Sequence, residues 1–262
     1  MIISASRRTD IPAFHAEWFS SCLSAARAEV RNPYSGKPAA VSLRRQDVAA
    51  FVFWTRDPRP FLPVLDRLER EGFPSVFQFT LTGFPGELEP FVPPLAEAVS
   101  AFRRLSDKIG PDRVLWRFDP LLPGEPAEAL VSRFERSSAA LRGLTRRCTL
   151  SIAHPYRKSL RATRGCREIW EPTERFRYAV NLAAAVGRSL GFDMRSCCTP
   201  LLVEWGIPPA ACVDADDLRK LWPGAGVPAS PSPVRPGCLC SASRDIGSYR
   251  TCGHGCVYCY AA

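Results

Sequence analysis

Phe51-Val52-Phe53-Trp54-Thr55 is the stretch that decides the fold, because four consecutive apolar residues precede its terminal threonine. An apolar run of this length is typical of a strand that is buried on both faces of a parallel sheet. Helices have to cover both faces of such a sheet, so strands and helices should alternate along the chain.

Outward from this run, strand and helix patterns alternate six times. The strands are short apolar or alternating segments, and the helices show apolar residues at helical spacing. We predict strands over residues 2–6, 51–55, 76–82, 113–120, 148–153 and 192–198. The sequence therefore predicts an α/β fold, a (β/α)6-type partial or complete parallel barrel with a cysteine-rich C-terminal tail.

Two polar segments interrupt this alternation. Residues 223–237 are rich in proline, glycine and serine and predict an irregular tether. We therefore predict a barrel domain over residues 1–222, and a tether with a metal-binding tail packed on the barrel over residues 223–262. The basic segment at 157–171 is predicted to be a mobile lid or an anion-contacting loop, with a solvated surface loop as the alternative.

Three cysteines near the C-terminus have the spacing C-x-x-x-C-x-x-C, and we call residues 252–260 the tail motif. The cysteines are Cys252, Cys256 and Cys259. Gly253 and Gly255 allow a tight loop in which the sulfurs converge, and thiolates at this spacing suit an iron–sulfur cluster. Three ligands on a four-iron cluster leave one iron open. A zinc site with His254 as fourth ligand is the rival, and a structural metal knot is the plainest interpretation.

A second set of cysteines surrounds the tether. Its members are Cys197, Cys198, Cys212, Cys238 and Cys240. Cys238 and Cys240 form a C-x-C pair, a spacing that recurs in metal sites. With Cys212 and with Cys198, or Cys197 in its place, they predict four ligands for a closed second cluster or a zinc ion. The alternative is that some of them are small buried hydrophobic residues.

Polar residues follow several predicted strands, and ligands bind at the carboxyl ends of parallel strands. The candidate catalytic residues are Arg7, Arg8, Asp10, Arg117 and Asp119, and the candidate cofactor-binding residues on strands are Gln78, Thr80 and Ser151. Most have a structural alternative: Arg7 or Arg8 in a surface salt bridge, Asp10 as a helix cap, and Arg117 paired with Asp119. For Gln78 and Thr80 the alternative is the solvent-facing side of an exposed sheet.

The composition is that of a cytosolic globular protein. No stretch has the length of a membrane span, and residues 1–12 lack a charged leader followed by a long apolar run. We therefore expect a cytoplasmic protein with no membrane partner, in which the 11 cysteines are thiols or metal ligands rather than disulfides. The net charge of +9 suits nucleic acid or an anionic metabolite, but its arginines are spread along the chain, which favours a compositional bias.

Several stretches together resemble an uncharacterised bacterial family, a domain of unknown function in the eighteen-hundreds of that series. They are residues 4–12, 53–58, 78–82, 116–120 and the tail motif. The tail motif itself resembles the C-x-x-x-C-x-aromatic-C cluster motif of radical S-adenosylmethionine (SAM) enzymes, whose fold is a partial (β/α)6 barrel. That motif usually follows the first strand, whereas here it lies at the C-terminus.

The second resemblance implies a function. Cys252, Cys256 and Cys259 would hold a [4Fe–4S] cluster whose open iron binds SAM, and Tyr258 would lie near the adenine. We therefore predict an iron–sulfur enzyme of radical SAM type that acts on an anionic substrate and takes electrons from a donor such as flavodoxin or ferredoxin. The alternatives are an iron–sulfur electron carrier or redox sensor without SAM chemistry, and a nucleic-acid-modifying or repair protein.

Overall fold

The structure is a computed structural model, and it describes residues 1–33, 35–156 and 170–261. The predicted basic loop therefore lies outside the described residues over 157–169. The strands are β1 (Ile2–Ala5), β2 (Arg27–Arg31), β3 (Pro38–Ser42), β4 (Ala50–Thr55), β5 (Ser75–Thr80), β6 (Val114–Leu121), β7 (Arg147–Ile152), β8 (Asp193–Ser196) and β9 (Ser243–Asp245). The helices are α1 (Ile11–Phe14), α2 (Ala16–Ser24), α3 (Leu62–Arg70), α4 (Leu95–Ile109), α5 (Ala127–Leu141), α6 (Glu174–Ser189), α7 (Pro200–Glu204) and α8 (Ala215–Leu221), and a 3-10 turn at Arg59–Phe61 precedes α3.

Seven strands form a parallel sheet in the order β8-β7-β6-β5-β4-β1-β9. The register pairs Ile2 of β1 with Ala50 of β4 and, on its other side, with Ser243 of β9. The six predicted strands are all present, so the α/β prediction is confirmed. β9 and the antiparallel hairpin of β2 and β3 were not predicted. β9 has only three residues, all polar, and therefore carries no apolar strand pattern.

The described chain divides into two compact units. Unit 1 contains Met1–Gln78, Ala211–Gly253 and Ala261, and unit 2 contains Phe79–Ala210 and His254–Tyr260. Each unit joins segments that are distant in sequence, and each has its own aromatic core.

In unit 1 the core is built on one face of β4. Phe51 and Phe53 are two residues apart on the strand, so their rings point to the same side. Phe19 of α2 meets them edge-on, with ring centroids 5.3 Å and 5.5 Å away, and Phe53 stacks on Phe77 of β5 at 4.8 Å. Aromatic pairs of this kind each contribute about 0.5–1.5 kcal/mol beyond the burial of their area.

In unit 2 the core lies on one face of β6. Trp116 stacks on Phe134 of α5 at 5.3 Å, and Phe118 meets the same ring edge-on at 5.0 Å. The indole N–H of Trp116 is also satisfied, because it donates to the carbonyl of Leu81 at 2.8 Å. Since side chains alternate along a strand, the residues between and after these two aromatics project to the opposite face.

Candidate functional site

In unit 1, a single carboxylate joins the carboxyl end of β1 to β9. Asp245 Oδ2 accepts from the hydroxyl of Ser4 at 2.8 Å and from the backbone N–H of Arg7 at 3.0 Å. Its Oδ1 accepts from the hydroxyl of Ser6 at 2.8 Å and from the backbone N–H of Gly247 at 2.9 Å. The charged carboxylate thus fixes the backbone on which Arg7 sits. Sequence reasoning missed Asp245, because one acidic residue in a polar segment carries no signal.

The side chain of Arg7 lies between an aromatic ring and two thiols. Its guanidinium carbon is 5.1 Å from the ring centroid of Trp54, a cation–π contact. Burial by itself lowers the pKa of Arg7, but the neighbouring Cys212, Cys240 and Asp245 more than offset this and leave the pKa raised. The guanidinium is therefore held charged. Of the two arginines for which the sequence left a salt bridge open, Arg8 lies 3.9 Å from Asp245 Oδ1 through its Nε.

Two cysteines of the second set, Cys212 and Cys240, lie side by side in unit 1. The Cys212 thiol, together with burial, raises the pKa of Cys240. The backbone fixes the two segments next to each other, because the N–H of Ser241 donates to the carbonyl of Val213 at 2.9 Å.

Gln78, at the carboxyl half of β5, reaches the same place. Its amide nitrogen donates to the carbonyl of Cys212 at 2.8 Å, and the side chain is only 1% exposed. No donor among the described residues reaches its buried Oε1. A buried amide oxygen in this condition costs free energy unless a bound group or a water donates to it, which suits the predicted ligand-binding role of Gln78.

The remaining predicted residues of unit 1 have structural contacts. Asp10 caps α1, as the sequence suggested: Oδ1 accepts from the N–H of Ala13 at 2.9 Å, and Oδ2 from that of Arg56 at 2.7 Å. Arg8 lies over the ring of Tyr249, with 5.4 Å between guanidinium carbon and centroid. Asp10 therefore orders the segment after β1 rather than facing open space.

In unit 2, Arg117 and Asp119 pair with each other. Asp119 Oδ2 accepts from Arg117 Nε at 3.1 Å and Nη2 at 2.5 Å, while Oδ1 accepts from the hydroxyl of Ser151. The ion pair is mostly buried on the face of β6 opposite Trp116. Of the two alternatives drawn from the sequence, the structure shows the ion pair. Thr80 is half-buried at the end of β5.

The tail motif enters unit 2 through Tyr258. Its hydroxyl donates to Oε1 of Glu89, and the hydroxyl of Thr82 is 2.8 Å from both oxygens of the same carboxylate. The N–H of Val257 also donates to the carbonyl of Leu88 at 3.1 Å. Glu89 is 5% exposed, so its carboxylate is buried and accepts from hydroxyl donors. Glu89 was not predicted, because nothing in the sequence links it to the tail.

Arg133 of α5 supports the loop that carries Glu89. Its Nε and Nη2 bind both oxygens of Glu125, at 2.8 Å and 2.7 Å, and Nη1 donates to the carbonyl of Thr82. Its guanidinium carbon lies 3.8 Å from the ring centroid of Phe84, and that ring lies 5.7 Å from the ring of Tyr258. A buried, fully engaged arginine thus fixes the surroundings of the tail tyrosine.

The glycines of the tail motif are closely packed. Gly255 has φ +67°, and a Cβ there would lie 3.0 Å from the ring of Phe91 and 3.2 Å from Pro90. A Cβ on Gly253 would lie 2.7 Å from the ring of Phe14, which would have to move. Gly255 is therefore favoured mainly by its left-handed backbone conformation.

The motif's donor groups are placed as follows. The N–H of Cys259 donates to the carbonyl of Cys256 at 3.1 Å, so these two residues share a turn. His254 is 3% exposed, and its Nδ1 lies 3.3 Å from the carbonyl oxygen of Phe91. Cys256 is buried, whereas Cys252 and Cys259 are half-buried.

The described residues contain no group of three or more His, Cys, Asp or Glu side chains arranged to hold a metal ion. The tail motif supplies three thiol groups, a left-handed glycine at 255 and a turn that joins Cys256 to Cys259. Thiolates are the ligand type that iron–sulfur clusters use.

Three members of the second cysteine set, Cys212, Cys238 and Cys240, belong to unit 1. Cys212 and Cys240 are neighbours, and Cys238 is buried two residues before Cys240. Cys198 belongs to unit 2. Cys22 and Cys148 are buried, as core cysteines are. None of the cysteines within the described ranges takes part in a disulfide.

None of the described helices has the length and apolar character that a membrane span requires.

Comparison with known proteins gives one result. A family model described as a domain of unknown function (DUF1848) matches residues 2–261, nearly the whole chain. The match confirms the resemblance to an uncharacterised domain family that the sequence stretches indicated. No curated protein and no solved structure matches the chain.

Proposed function

The chain belongs to the DUF1848 family of domains of unknown function, and we propose that it is an iron–sulfur enzyme of radical SAM type. The observation that carries the proposal is the set of three thiols in the tail motif, Cys252, Cys256 and Cys259, with a left-handed glycine at position 255. Thiolates at this spacing are the usual ligands of a four-iron cluster with one open iron. We further propose that the parallel sheet curves into a partial (β/α)6 barrel and that the protein is cytoplasmic.

The protein's own residues have distinct roles in this proposal. The three cysteines, as thiolates, hold the cluster, and the close packing around Gly255 keeps the loop from spreading. When bound, such a cluster supplies an electron to SAM and thereby starts radical chemistry, with an electron donor such as flavodoxin or ferredoxin upstream. The other residues named here bind the cofactor or the substrate and hold the reacting groups in a fixed orientation, which lowers the entropic part of the barrier.

Tyr258 is the proposed neighbour of the adenine. Glu89 accepts the hydrogen bond of its hydroxyl, and Phe84 packs against its ring. A phenol held by its hydroxyl has a fixed ring plane, and a fixed aromatic ring can stack on a purine at little entropic cost. Glu89 therefore acts as a positioning residue for the tail.

The proposed substrate is anionic, and Arg7 is the residue that would bind its negative group. Arg7 is held charged, and its backbone is fixed by Asp245. Gln78 offers a buried acceptor for a donor on a ligand. Arg117 is a poorer candidate for the anion, because Asp119 neutralises it. A guanidinium binds carboxylates and phosphates in a two-pronged geometry, which also orients them.

Anaerobic purification followed by metal and sulfide analysis tests the proposal. We expect ~4 iron and ~4 sulfide per chain in the wild type, and a large loss of both in Cys252→Ala, Cys256→Ala and Cys259→Ala. Cys22→Ala, which changes a buried cysteine outside the motif, is the matched control and should retain the cluster. Zinc without sulfide in the wild type would overturn the proposal.

Titration of the reduced protein with SAM is the second arm. Bleaching of the cluster absorption and formation of 5′-deoxyadenosine would support SAM chemistry. A cluster that does not respond to SAM would replace this proposal with the alternative of an electron carrier or redox sensor. Binding to DNA or RNA that weakens steeply with salt would favour the nucleic-acid alternative.

A further inference from the structure

Gln78 has a buried amide oxygen that no donor among the described residues reaches. The side chain is 1% exposed, and its amide nitrogen donates to the carbonyl of Cys212 at 2.8 Å. A carbonyl can only accept hydrogen bonds, so the NH₂ group has to face Cys212 and Oε1 has to face the other way. The orientation of the amide is therefore fixed by its partner, and its acceptor points away from Cys212.

Trp54 is the neighbour of Gln78 on the sheet. β4 and β5 are adjacent strands, and the rings of Phe53 and Phe77 stack at 4.8 Å on one face. Because side chains alternate along a strand, Trp54 and Gln78, which follow these two phenylalanines, project to the opposite face. Adjacent strands lie about 4.8 Å apart, so the indole and the amide are side by side. Trp54 is half-buried, and part of it is accessible to a ligand.

Arg7 brings a positive charge to the same face. Its guanidinium carbon is 5.1 Å from the ring centroid of Trp54. The backbone N–H of Arg7 donates to Asp245 at 3.0 Å, which fixes the chain from which the side chain extends. A guanidinium does not lose its proton in proteins. This face of the sheet therefore offers a permanent cation and, beside it, a hydrogen-bond acceptor.

We propose that Gln78 determines the substrate class of this site, a carboxylate that also carries an amide group. Arg7 binds the carboxylate through two parallel hydrogen bonds, and the amide N–H donates to Oε1 of Gln78. A neutral amide suits this position better than an ammonium group, because a second cation beside Arg7 would be repelled. The inference rests on the proposed function for calling this ligand the substrate, whereas the binding itself uses none of the tail cysteines.

A site that accepts a hydrogen bond from its ligand also rejects analogues without the donor. Such an analogue leaves the buried acceptor unpaired, and it displaces any water that would otherwise donate to it. Gln78 thus distinguishes an amide from a methyl group of the same shape, while Arg7 binds the carboxylate of both compounds alike.

Two pairs of probes differ in this group alone. Oxamate carries an amide NH₂ where pyruvate carries a methyl group, and succinamate and levulinate repeat the difference with a longer spacer. Binding to the full chain, purified without oxygen, is measured by isothermal titration calorimetry. In at least one pair we expect the amide to bind about tenfold more tightly than its methyl counterpart, the effect of about one hydrogen bond to a buried group.

Two substitutions separate the roles of the residues. Gln78→Met keeps the length of the side chain without its acceptor and should bind both members of a pair equally, whereas Arg7→Gln should weaken both by the same factor. Gln46→Met is the matched control, because Gln46 is the other glutamine of the chain and is exposed, and it should retain the preference. The comparison of the probes within the wild type does not require any variant to fold.

The proposal is overturned if no probe binds, if neither pair shows a preference for the amide, or if the preference persists in Gln78→Met. Equal binding of amide and methyl compounds would mean that water alone donates to Oε1 of Gln78. The proposed function fails separately. Zinc without sulfide, or a cluster that does not respond to SAM, would leave the amide preference unchanged, and loss of the preference would leave the cluster and its response to SAM unchanged.

Discussion

Tyr258 donates a hydrogen bond from its phenol to the carboxylate of Glu89, which lies 169 residues earlier in the chain. Glu89 is buried and also accepts from Thr82. A carboxylate that leaves water retains its charge only if donors replace the lost hydration. The contact therefore anchors the tail motif within unit 2 and, in the proposed function, orients the aromatic ring beside the cofactor.

Removing either partner of this contact should destabilise the protein. Tyr258→Phe leaves a buried carboxylate with one donor fewer, and Glu89→Ala removes the acceptor of the buried Thr82 hydroxyl and of the half-buried Tyr258 hydroxyl. Each should therefore lower the free energy of unfolding by about 1–3 kcal/mol. In the double mutant the losses should be less than additive, with a coupling of about 1–2 kcal/mol. Urea unfolding of the four proteins measures this.

Tyr178→Phe is the control for that cycle, since Tyr178 is 69% exposed and should change stability by less than about 0.5 kcal/mol. Additive losses in the double mutant would show that the two side chains do not interact.

Gly255→Ala should impair the tail motif more than any other alanine substitution of a glycine near it. The residue has φ +67° and its Cβ would press on Phe91, and a left-handed backbone costs a residue with a Cβ about 1–2 kcal/mol. Iron and sulfide per chain should fall clearly. Gly253→Ala should have a smaller effect, because Gly253 does not have the left-handed backbone of Gly255 and the half-exposed ring of Phe14 can move aside.

Gly86→Ala is the matched substitution, since a Cβ there meets nothing within 4 Å. Equal metal loading in Gly255→Ala and Gly86→Ala would contradict the proposed role of the tight loop.

Asp245→Asn should be nearly as damaging as Asp245→Ala. Each carboxylate oxygen faces one backbone N–H, that of Arg7 or that of Gly247. Whichever way the amide is turned, its NH₂ group faces a donor. We expect a loss of about 2–3 kcal/mol in unfolding free energy, measured by denaturant titration. The control Asp216→Asn, at an exposed position, should have an unfolding free energy within about 0.5 kcal/mol of the wild type. If Asp245→Asn were as stable as the wild type, the four hydrogen bonds to Asp245 would be ruled out.

Cys148 should make the stability depend on pH in the alkaline range. Burial raises the pKa of its thiol well above the ordinary value, so the folded state keeps a proton that the unfolded state loses above about pH 8.5. The stabilisation is complete below that pH and decreases as pH rises, by up to about 1.4 kcal/mol per pH unit.

In Cys148→Ala this contribution is absent, so the stability difference from the wild type should shrink between pH 8 and about pH 10. Urea unfolding at both pH values measures the difference. A pH-independent difference would mean that the thiol ionises as readily in the folded as in the unfolded protein.

The strands that sequence patterns predicted are those with an apolar signal. Phe51 and Phe53 predict a buried strand because burial of their rings is favourable whichever residues they pack against. The polar strand β9 had no such signal, and its position follows from pairing with β1. The alternative roles of Arg117 could likewise not be separated by sequence, because its partner Asp119 and the hydroxyl of Ser151 meet only in the folded sheet.

The sequence by itself determined the α/β alternation and the tail motif's spacing, since both depend on residues close together along the chain. Only the tertiary structure decided that Asp245 fixes the end of β1, that Glu89 holds Tyr258, and that Gln78 reaches the carbonyl of Cys212. Hydrophobic burial is non-directional and can be inferred from local patterns. A hydrogen bond requires two particular groups at about 3 Å, and folding alone brings distant residues to that separation.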